Sequence, residues 1–243
     1  MKTLVIGDLH GSNVWKEIIT YEKPEKVIFL GDYFDSFTIE CEVQINNFLD
    51  LIELKKNSGI EVVLLIGNHD IHYFPYIDDK ATAGYQFQYK FLLEDTLKNN
   101  LEHLSIVHRM GNLLFTHAGI SVEFLDKNIP DWNVDNVVES LEDLFKYKPN
   151  KFLFNGSDPY GCDTYQTPLW IRPNCLMKAN KKSELHKKFI QVFGHTQIKR
   201  LDMKGATTGQ KYYNLDTINS SGQYMILDKN NKMSFGCYKD YEK

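Results

Sequence analysis

Thiols, arginine and long apolar runs are all scarce in this chain, and each scarcity excludes something. Four cysteines occur in 243 residues, Cys41, Cys162, Cys175 and Cys237. They form no C-x-x-C pair, which argues against a zinc knuckle or a dithiol redox motif. They fit a reduced compartment, although a secreted chain with two bridges would also use four. No stretch approaches the roughly 18 apolar residues of a membrane-crossing helix, and the run Leu4-Val5-Ile6 after Met1 and Lys2 is too short for the apolar core of a signal peptide. The expected setting is therefore soluble and cytoplasmic, with no membrane partner. Positive charge is not in excess: 28 Lys and Arg against 32 Asp and Glu leave a formal charge of -4, so no broad field attracts a nucleic-acid backbone. Arginine is limited to Arg109, Arg172 and Arg200. Repeats, low-complexity tracts and interdomain linkers are absent as well.

What remains is an ordinary globular composition, 42% hydrophobic and 25% charged. A chain of this length commonly folds as one α/β domain, and one domain over residues 1–243 is expected. Apolar runs at 4–7, 27–30, 62–66 and 189–193 read as strands. Helical patterns lie between the first three, one from Ser12, a possible N-cap, to about 21, and one over 39–57. Helices alternating with strands that are apolar throughout argue for parallel pairing. A weaker helical pattern covers 85–97, a loop rich in aromatic and acidic groups covers 71–83, and a helix is expected over 135–145. Gly111-Asn112 between 104–109 and 113–116 predicts an antiparallel hairpin, and 224–227 pairs plausibly with 233–237. From 150 to 180 periodicity disappears among Gly156, Pro159, Gly161, Pro168 and Pro173, and a long irregular segment is expected to shape access to a site.

The chain is organised around V-I-F-L-G-D-Y-F-D at 27–35. Four apolar residues make a buried strand, Gly31 turns the backbone, and Asp32 arrives at the rim of the sheet. Asp8 and His10 in G-D-L-H-G, Asn68 and His69 in G-N-H-D, His117 in T-H-A-G and His195 in G-H-T each follow a comparable run. A lone aspartate after a strand is as readily a turn former or helix cap as a ligand. The ordered set is more specific: a sheet that gathers its strand ends would bring carboxylate, amide and imidazole groups into one pocket. Such donors, without thiolate, suit manganese, iron or zinc, with manganese the first choice. A bridging carboxylate at Asp32 would hold two divalent ions about 3.5–4 Å apart and acidify a water between them.

The three early motifs in this order resemble those of the calcineurin-like metallophosphoesterases, especially the phosphoprotein phosphatase branch that includes small bacterial and bacteriophage enzymes. The resemblance runs from Gly7 to about Gly222, where L-D-T-I-N-S-S-G is similar to that branch's C-terminal strand and turn. It implies a four-layer α/β/β/α sandwich with mixed sheets. By the same resemblance Asp8, His10 and Asp32 hold one metal ion, and Asp32, Asn68, His117 and His195 hold the other, with Asn68 also facing the substrate. A bridging hydroxide would attack phosphorus, His69 would be the general acid, and Asp35 would orient it, although Asp35 also reads as a turn residue. Asp70 reads as a cap or brace of its loop. Gln197 stands where many relatives outside the branch carry a second histidine, and Ser36 stands where the branch has a phosphate-clamping arginine. Arg172 in L-W-I-R-P is similar to the other family arginine, with a surface ion pair as the alternative.

The expected function is a phosphoprotein phosphatase-like phosphomonoesterase. The missing clamp, and an aromatic wall from Tyr33, Tyr73, Tyr76, Tyr160, Tyr165 and Trp170, keep open a nucleotide hydrolase acting on dinucleoside polyphosphates, cyclic nucleotides or RNA ends. A metal- or partner-binding module without catalysis is the reading from another class. Of the histidines outside the motifs, only His72, three residues after His69, is placed to reach the edge of the site.

Overall fold

The computed structural model describes residues 1–75, 77, 84–158, 160, 162–201 and 211–240. Among the described residues the strands run β1 (Thr3–Ile6), β2 (Lys26–Phe29), β3 (Glu61–Leu65), β4 (Leu104–Ser105) and β5 (His108–Met110). They continue as β6 (Leu113–Phe115), β7 (Ile190–Phe193), β8 (Tyr212–Asn214), β9 (Gln223–Leu227) and β10 (Met233–Cys237). One sheet has the order β10-β9-β1-β2-β3-β4 and the other β5-β6-β7-β8. Both are mixed. β1, β2, β3 and β4 are parallel, with β9 antiparallel to β1 and β10 antiparallel to β9 at one edge, while β6, β7 and β8 are parallel with antiparallel β5 at theirs.

Alternation along the strands builds the layers. Leu4, Ile6, Val27, Phe29 and Leu64 pack with Trp15 and Ile18 of α1 (Trp15–Glu22) and with Phe48 and Leu51 of α2 (Cys41–Asn57). Their neighbours Val5, Ile28, Leu30 and Leu65 pack instead with Leu113, Phe115, Val192 and Leu215 of the other sheet. A strand buried on both faces must be apolar throughout, which is why these runs lack a polar side. The short α3 (Asn68–Ile71) follows β3, and α4 (Lys90–Lys98) comes before β4. On the far side, Leu114 shares its cluster with Phe124 and Leu125 of α5 (Val122–Asn128) and with Val137 and Leu141 of α6 (Val137–Tyr147). Phe193 packs on Cys175 and Leu176 of α7 (Pro173–Asn180), which α8 (Glu184–Lys188) follows. The result is the α/β/β/α sandwich.

Four details differ from the sequence reading. Ser12 does not cap α1; its amide closes a turn on Leu9 and the helix starts at Trp15. Residues 104–109 are not one hairpin arm, because Leu104–Ser105 pairs with β3 while His108–Met110 pairs with β6 in the other sheet. Between them Ile106 and Val107 give their amides to the Glu142 carboxylate at 3.0 and 3.2 Å, which replaces the ladder partners lost in the crossing. The segment 150–180 is irregular only to Arg172, since Pro173 starts α7, a position where the missing N–H costs nothing. Finally, α5 and α8 are single short helices capped by Ser121 and Ser183, which the periodicity did not reveal.

At the strand-start end, far from the motifs, Lys26 Nζ lies 2.8 Å from Glu61 and 2.9 Å from His108 Nε2, tying the two sheets together. Burial and the Lys26 charge push His108 down from 6.5 to about 4. The unfolded chain therefore takes up a proton below about pH 6.5 that the folded chain refuses, so this stabilisation is complete above that pH and is lost as pH falls toward 4. In thermal unfolding, His108→Gln should lose less stability between pH 7 and 4.5 than the wild type; parallel pH profiles would contradict this account.

Candidate metal centre

The parallel strands of both sheets end at one edge, and the motif residues stand two or three positions beyond those ends: Asp8 after β1, Asp32 after β2, Asn68 after β3, His117 after β6 and His195 after β7. The connecting backbone is strained. His10, Asp32, Asp35 and His195 adopt left-handed φ of 45, 56, 63 and 67°, at a cost of roughly 1–3 kcal/mol each, which the surroundings must offset. Asp70 supplies much of that support, its carboxylate accepting from the amides of Asp32, Tyr33 and Gly67, each at 2.8 Å. The amides of Leu9 and His10 donate to Asp32 O at 3.1 and 2.7 Å, and Asn219 Nδ2 donates to Asp8 O at 3.0 Å.

Two motif glycines are explained by contact. A Cβ on Gly67 would lie 2.0 Å from Asp32 Oδ1, and one on Gly194 would lie 1.9 Å from Asp8 Oδ1. Gly194→Ala must therefore displace Asp8 and should lower divalent-ion affinity roughly 10–100-fold, as perturbing a ligand's support does elsewhere. Calorimetric titration checks this, and unchanged affinity in the folded variant would contradict it.

The donor atoms converge. Those of Asp8, Asp32 and His117 lie within 4.8 Å of one another, as do those of His10, Asp32 and His69, so Asp32 belongs to both groups. Three imidazoles are oriented alike. His10 Nδ1 is 2.7 Å from Phe34 O, His117 Nδ1 is 2.8 Å from Leu30 O, and His195 Nε2 is 3.0 Å from Trp170 O. A carbonyl only accepts, so each of those nitrogens carries the hydrogen, and the opposite nitrogen presents a lone pair. His10 Nε2 then faces Asp32 Oδ2 at 3.6 Å, and His117 Nε2 faces Asn68 Oδ1 at 2.8 Å and Asp32 Oδ2 at 3.5 Å. His195 Nδ1 faces Asn68 Oδ1 at 2.7 Å. Burial pushes His117 down and His195 well down, so both stay neutral. Lone pairs meeting carboxylate and amide oxygens with no hydrogen between them are the arrangement of a chelating site whose outer partners fix the tautomer.

The electrostatics agree. Burial opposes charge on Asp32, but histidine charge, first that of His117 once acid protonates it and then that of His69, outweighs it and holds this carboxyl below the usual range. Asp8 is pushed well up by burial, then by Asp216 and Asp32. Asp70 and Asp216 are each pushed up to about 7 by burial and then by the Asp32 charge. Crowded buried carboxylates of this kind are relieved by a cation, so the residues present fit a divalent metal.

At the edge of this cluster His69 Nδ1 lies 2.9 Å from Asp35 Oδ2, and its amide donates to Asp32 Oδ1 at 2.9 Å. Burial works against its charge, but Asp32, the Asp35 hydrogen bond and the Asp35 charge raise it to about 9. Asp35 is buried and accepts from the Tyr73 hydroxyl, so it is more than a turn residue. Arg172 donates from Nε to Tyr160 O at 2.8 Å and from Nη1 to His195 O and Thr196 Oγ1 at 3.2 and 3.1 Å; these are main-chain and hydroxyl partners beside the cluster, not a surface ion pair.

Sequence reasoning gave no role to Asp216, which follows β8 as Asp8 follows β1 and bonds to the Asp8 side chain. The same signal, an acid closing an apolar run in Y-Y-N-L-D, was there to find it. His72 does reach the edge, its ring 6.0 Å from that of His69 and 5.9 Å from that of Trp170. The expected aromatic wall is mostly core: Tyr33, Tyr73 and Trp170 are buried, Tyr165 lies under Lys127, Tyr160 is exposed, and Tyr76 falls outside the described residues.

Two mixed sheets face to face, with carboxylate, amide and imidazole donors gathered at one edge, define the metallophosphoesterase sandwich. A family model described as calcineurin-like phosphoesterase matches residues 1–218, and the chain belongs to that family. It is accordingly a metal-dependent phosphoesterase, of a family that uses divalent ions. No curated protein matches it in sequence. Among solved structures it is similar to a cold-active protein tyrosine phosphatase at 19% identity and TM-score 0.65, covering 98% of this chain and 76% of that one. A mutant of a cold-active protein tyrosine phosphatase gives 20% and 0.67, with 98% and 78% covered. A protein serine/threonine phosphatase from Saccharomyces cerevisiae with similarity to human phosphatase PP5 gives 13% and 0.58, with 97% and 79% covered. At such identities the likeness speaks for the fold. Among the described residues no helix is long and apolar enough to cross a membrane.

Proposed function

We propose that this chain is a phosphoprotein phosphatase-like phosphomonoesterase, one domain acting in the cytoplasm on a phosphorylated protein. The observation that carries this reading is the His69–Asp35 pair, 2.9 Å long, set beside converging donors that share Asp32. Asp8, His10 and Asp32 would hold one divalent ion, and Asp32, Asn68, His117 and His195 the second. Oxygen and nitrogen donors fit manganese first, with iron and zinc compatible. When bound, such a pair neutralises phosphate charge and acidifies a water for attack on phosphorus.

The chain's own residues do the rest. Asp35 holds Nδ1 of the His69 imidazolium, leaving Nε2–H to protonate the departing oxygen, a contribution of roughly 10²–10⁴-fold. The Asn68 amide contacts the substrate phosphate while its Oδ1 serves the metal. Arg172, anchored on His195 and Thr196, has guanidinium N–H groups left for a phosphate oxygen.

A nucleotide hydrolase is the second reading, and Ser36 favours it. Its Oγ accepts from the amides of Thr38 and Ile39 at 3.3 and 3.2 Å, so it serves a turn where the branch carries an arginine. With one clamp fewer, a diester or polyphosphate loses less than a dianionic monoester. Burial of Tyr33 and Tyr73 removes the other support for this reading. A non-catalytic module would be expected to lack ligands, and the set is complete. Assay of the manganese-loaded protein on phosphopeptides and on dinucleotide substrates separates the readings: turnover of phosphopeptides is expected, and activity confined to the dinucleotides would overturn the first choice.

A further inference from the structure

Away from the metal donors, two of the four cysteines meet. Cys162 is exposed in the irregular segment, and Cys175 is buried in α7. Their Sγ atoms lie 2.6 Å apart, and Cys175 Sγ donates to Cys162 O at 2.6 Å. A disulfide requires two sulfurs that face one another without backbone movement, and these two already do. The other two thiols have no such neighbour among the described residues: Cys41 is buried, and Cys237 donates to Ser221 O. The pair also flanks Arg172, whose Nε holds Tyr160 O.

We propose that Cys162 and Cys175 are an oxidisable dithiol, converted by a hydroperoxide to a disulfide that fastens Cys162 to α7 beside Arg172. Exposure sets the order of events. The Cys162 sulfur attacks the terminal peroxide oxygen, the O–O bond breaks, and a sulfenic acid forms as the other oxygen leaves, protonated, as water or alcohol. The Cys175 sulfur then attacks the Cys162 sulfur; the S–S bond forms, the S–O bond breaks, and the hydroxide leaves with the Cys175 proton as water. Two thiols and one peroxide give one disulfide and two leaving molecules, so atoms and electrons balance. Burial, and then the Cys162 contact, push the Cys175 thiol up to about 11, which suits a resolving group that does not react first with oxidant.

The test uses the full chain loaded with manganese, treated with hydrogen peroxide, quenched by alkylation, digested and mapped by mass. The expected result is loss of two of the four thiols and a linked peptide pair carrying Cys162 and Cys175, lighter by two hydrogens and separated again by dithiothreitol. Cys162→Ser, at the exposed position where folding is least at risk, should keep its three remaining thiols under the same dose; Cys175→Ser should stop at the Cys162 sulfenic acid, trapped with dimedone. Thiol loss without the linked pair, equal thiol loss in Cys162→Ser, or four thiols still alkylated after treatment would each overturn the proposal. The readout is sulfur chemistry alone and does not depend on which phosphate ester is the substrate.

Discussion

Asp32→Asn should leave a folded protein that no longer retains two divalent ions and hydrolyses p-nitrophenyl phosphate at least about 10³-fold more slowly. Asp32 is the one carboxylate common to both donor groups, and in the proposed centre it would hold both ions, so its loss should weaken both sites at once. A metal pair supplies several kcal/mol of transition-state stabilisation, and about 4 kcal/mol corresponds to 10³-fold in rate. The electrostatics separate this outcome from simple unfolding. The Asp32 charge contributes to raising Asp8, Asp70 and Asp216, so the neutral amide relieves repulsion in the metal-free protein, while its oxygen still accepts from the His69 amide. Metal-free wild type and variant should therefore melt close together. Manganese should raise the melting temperature of the wild type alone, because only a folded state that binds the ion gains from it. Full occupancy of both sites in the variant would contradict a shared Asp32.

His69→Asn is expected to do the opposite, keeping the metals and losing the chemistry. The Asn side chain preserves a polar group near Asp35 but offers no acid matched to a departing alkoxide, so turnover should fall at least about 10²-fold. The loss should be larger for a phosphoserine peptide than for p-nitrophenyl phosphate, since nitrophenolate leaves with little help from a proton. The pH profile gives the sign. His69 is raised to about 9 in the metal-free protein, first by the Asp32 charge, and divalent ions on Asp32 pull it down from there, so the acid form is lost as pH climbs toward that value. The wild type should show an alkaline fall in kcat that the residual activity of the variant lacks. Unchanged turnover would remove His69 from the acid role.

Much of this was legible in the sequence because a parallel strand buried on both faces leaves a plain trace. Val27–Ile28–Phe29–Leu30 is apolar at every position, since Val27 and Phe29 meet helices while Ile28 and Leu30 meet the other sheet. The polar residue that ends such a run marks the sheet edge, which is how the sequence alone groups Asp8, Asp32, Asn68, His117 and His195. What stayed hidden depends on contacts between distant residues. Asn219 supports Asp8 across more than two hundred positions with nothing beside either residue to announce the contact. Residues 104–109 read as one strand but serve two sheets, and nothing local records the change of partner at Ile106. Cys162 and Cys175 stand 13 residues apart, outside any spacing motif, and are joined only because α7 turns the chain back. The aromatic residues misled for a related reason: Tyr33 and Tyr73 sit in loops by sequence, but their hydroxyls hold Leu65 O and Asp35 inside the core.

Anomalous diffraction from crystals grown with manganese asks most directly whether one aspartate holds two cations. The account predicts two peaks about 3.5–4 Å apart, one on either side of the Asp32 carboxylate, with His10 beside the first and His117 and His195 beside the second. A single peak, or a pair that does not include Asp32 in both coordination shells, would contradict it.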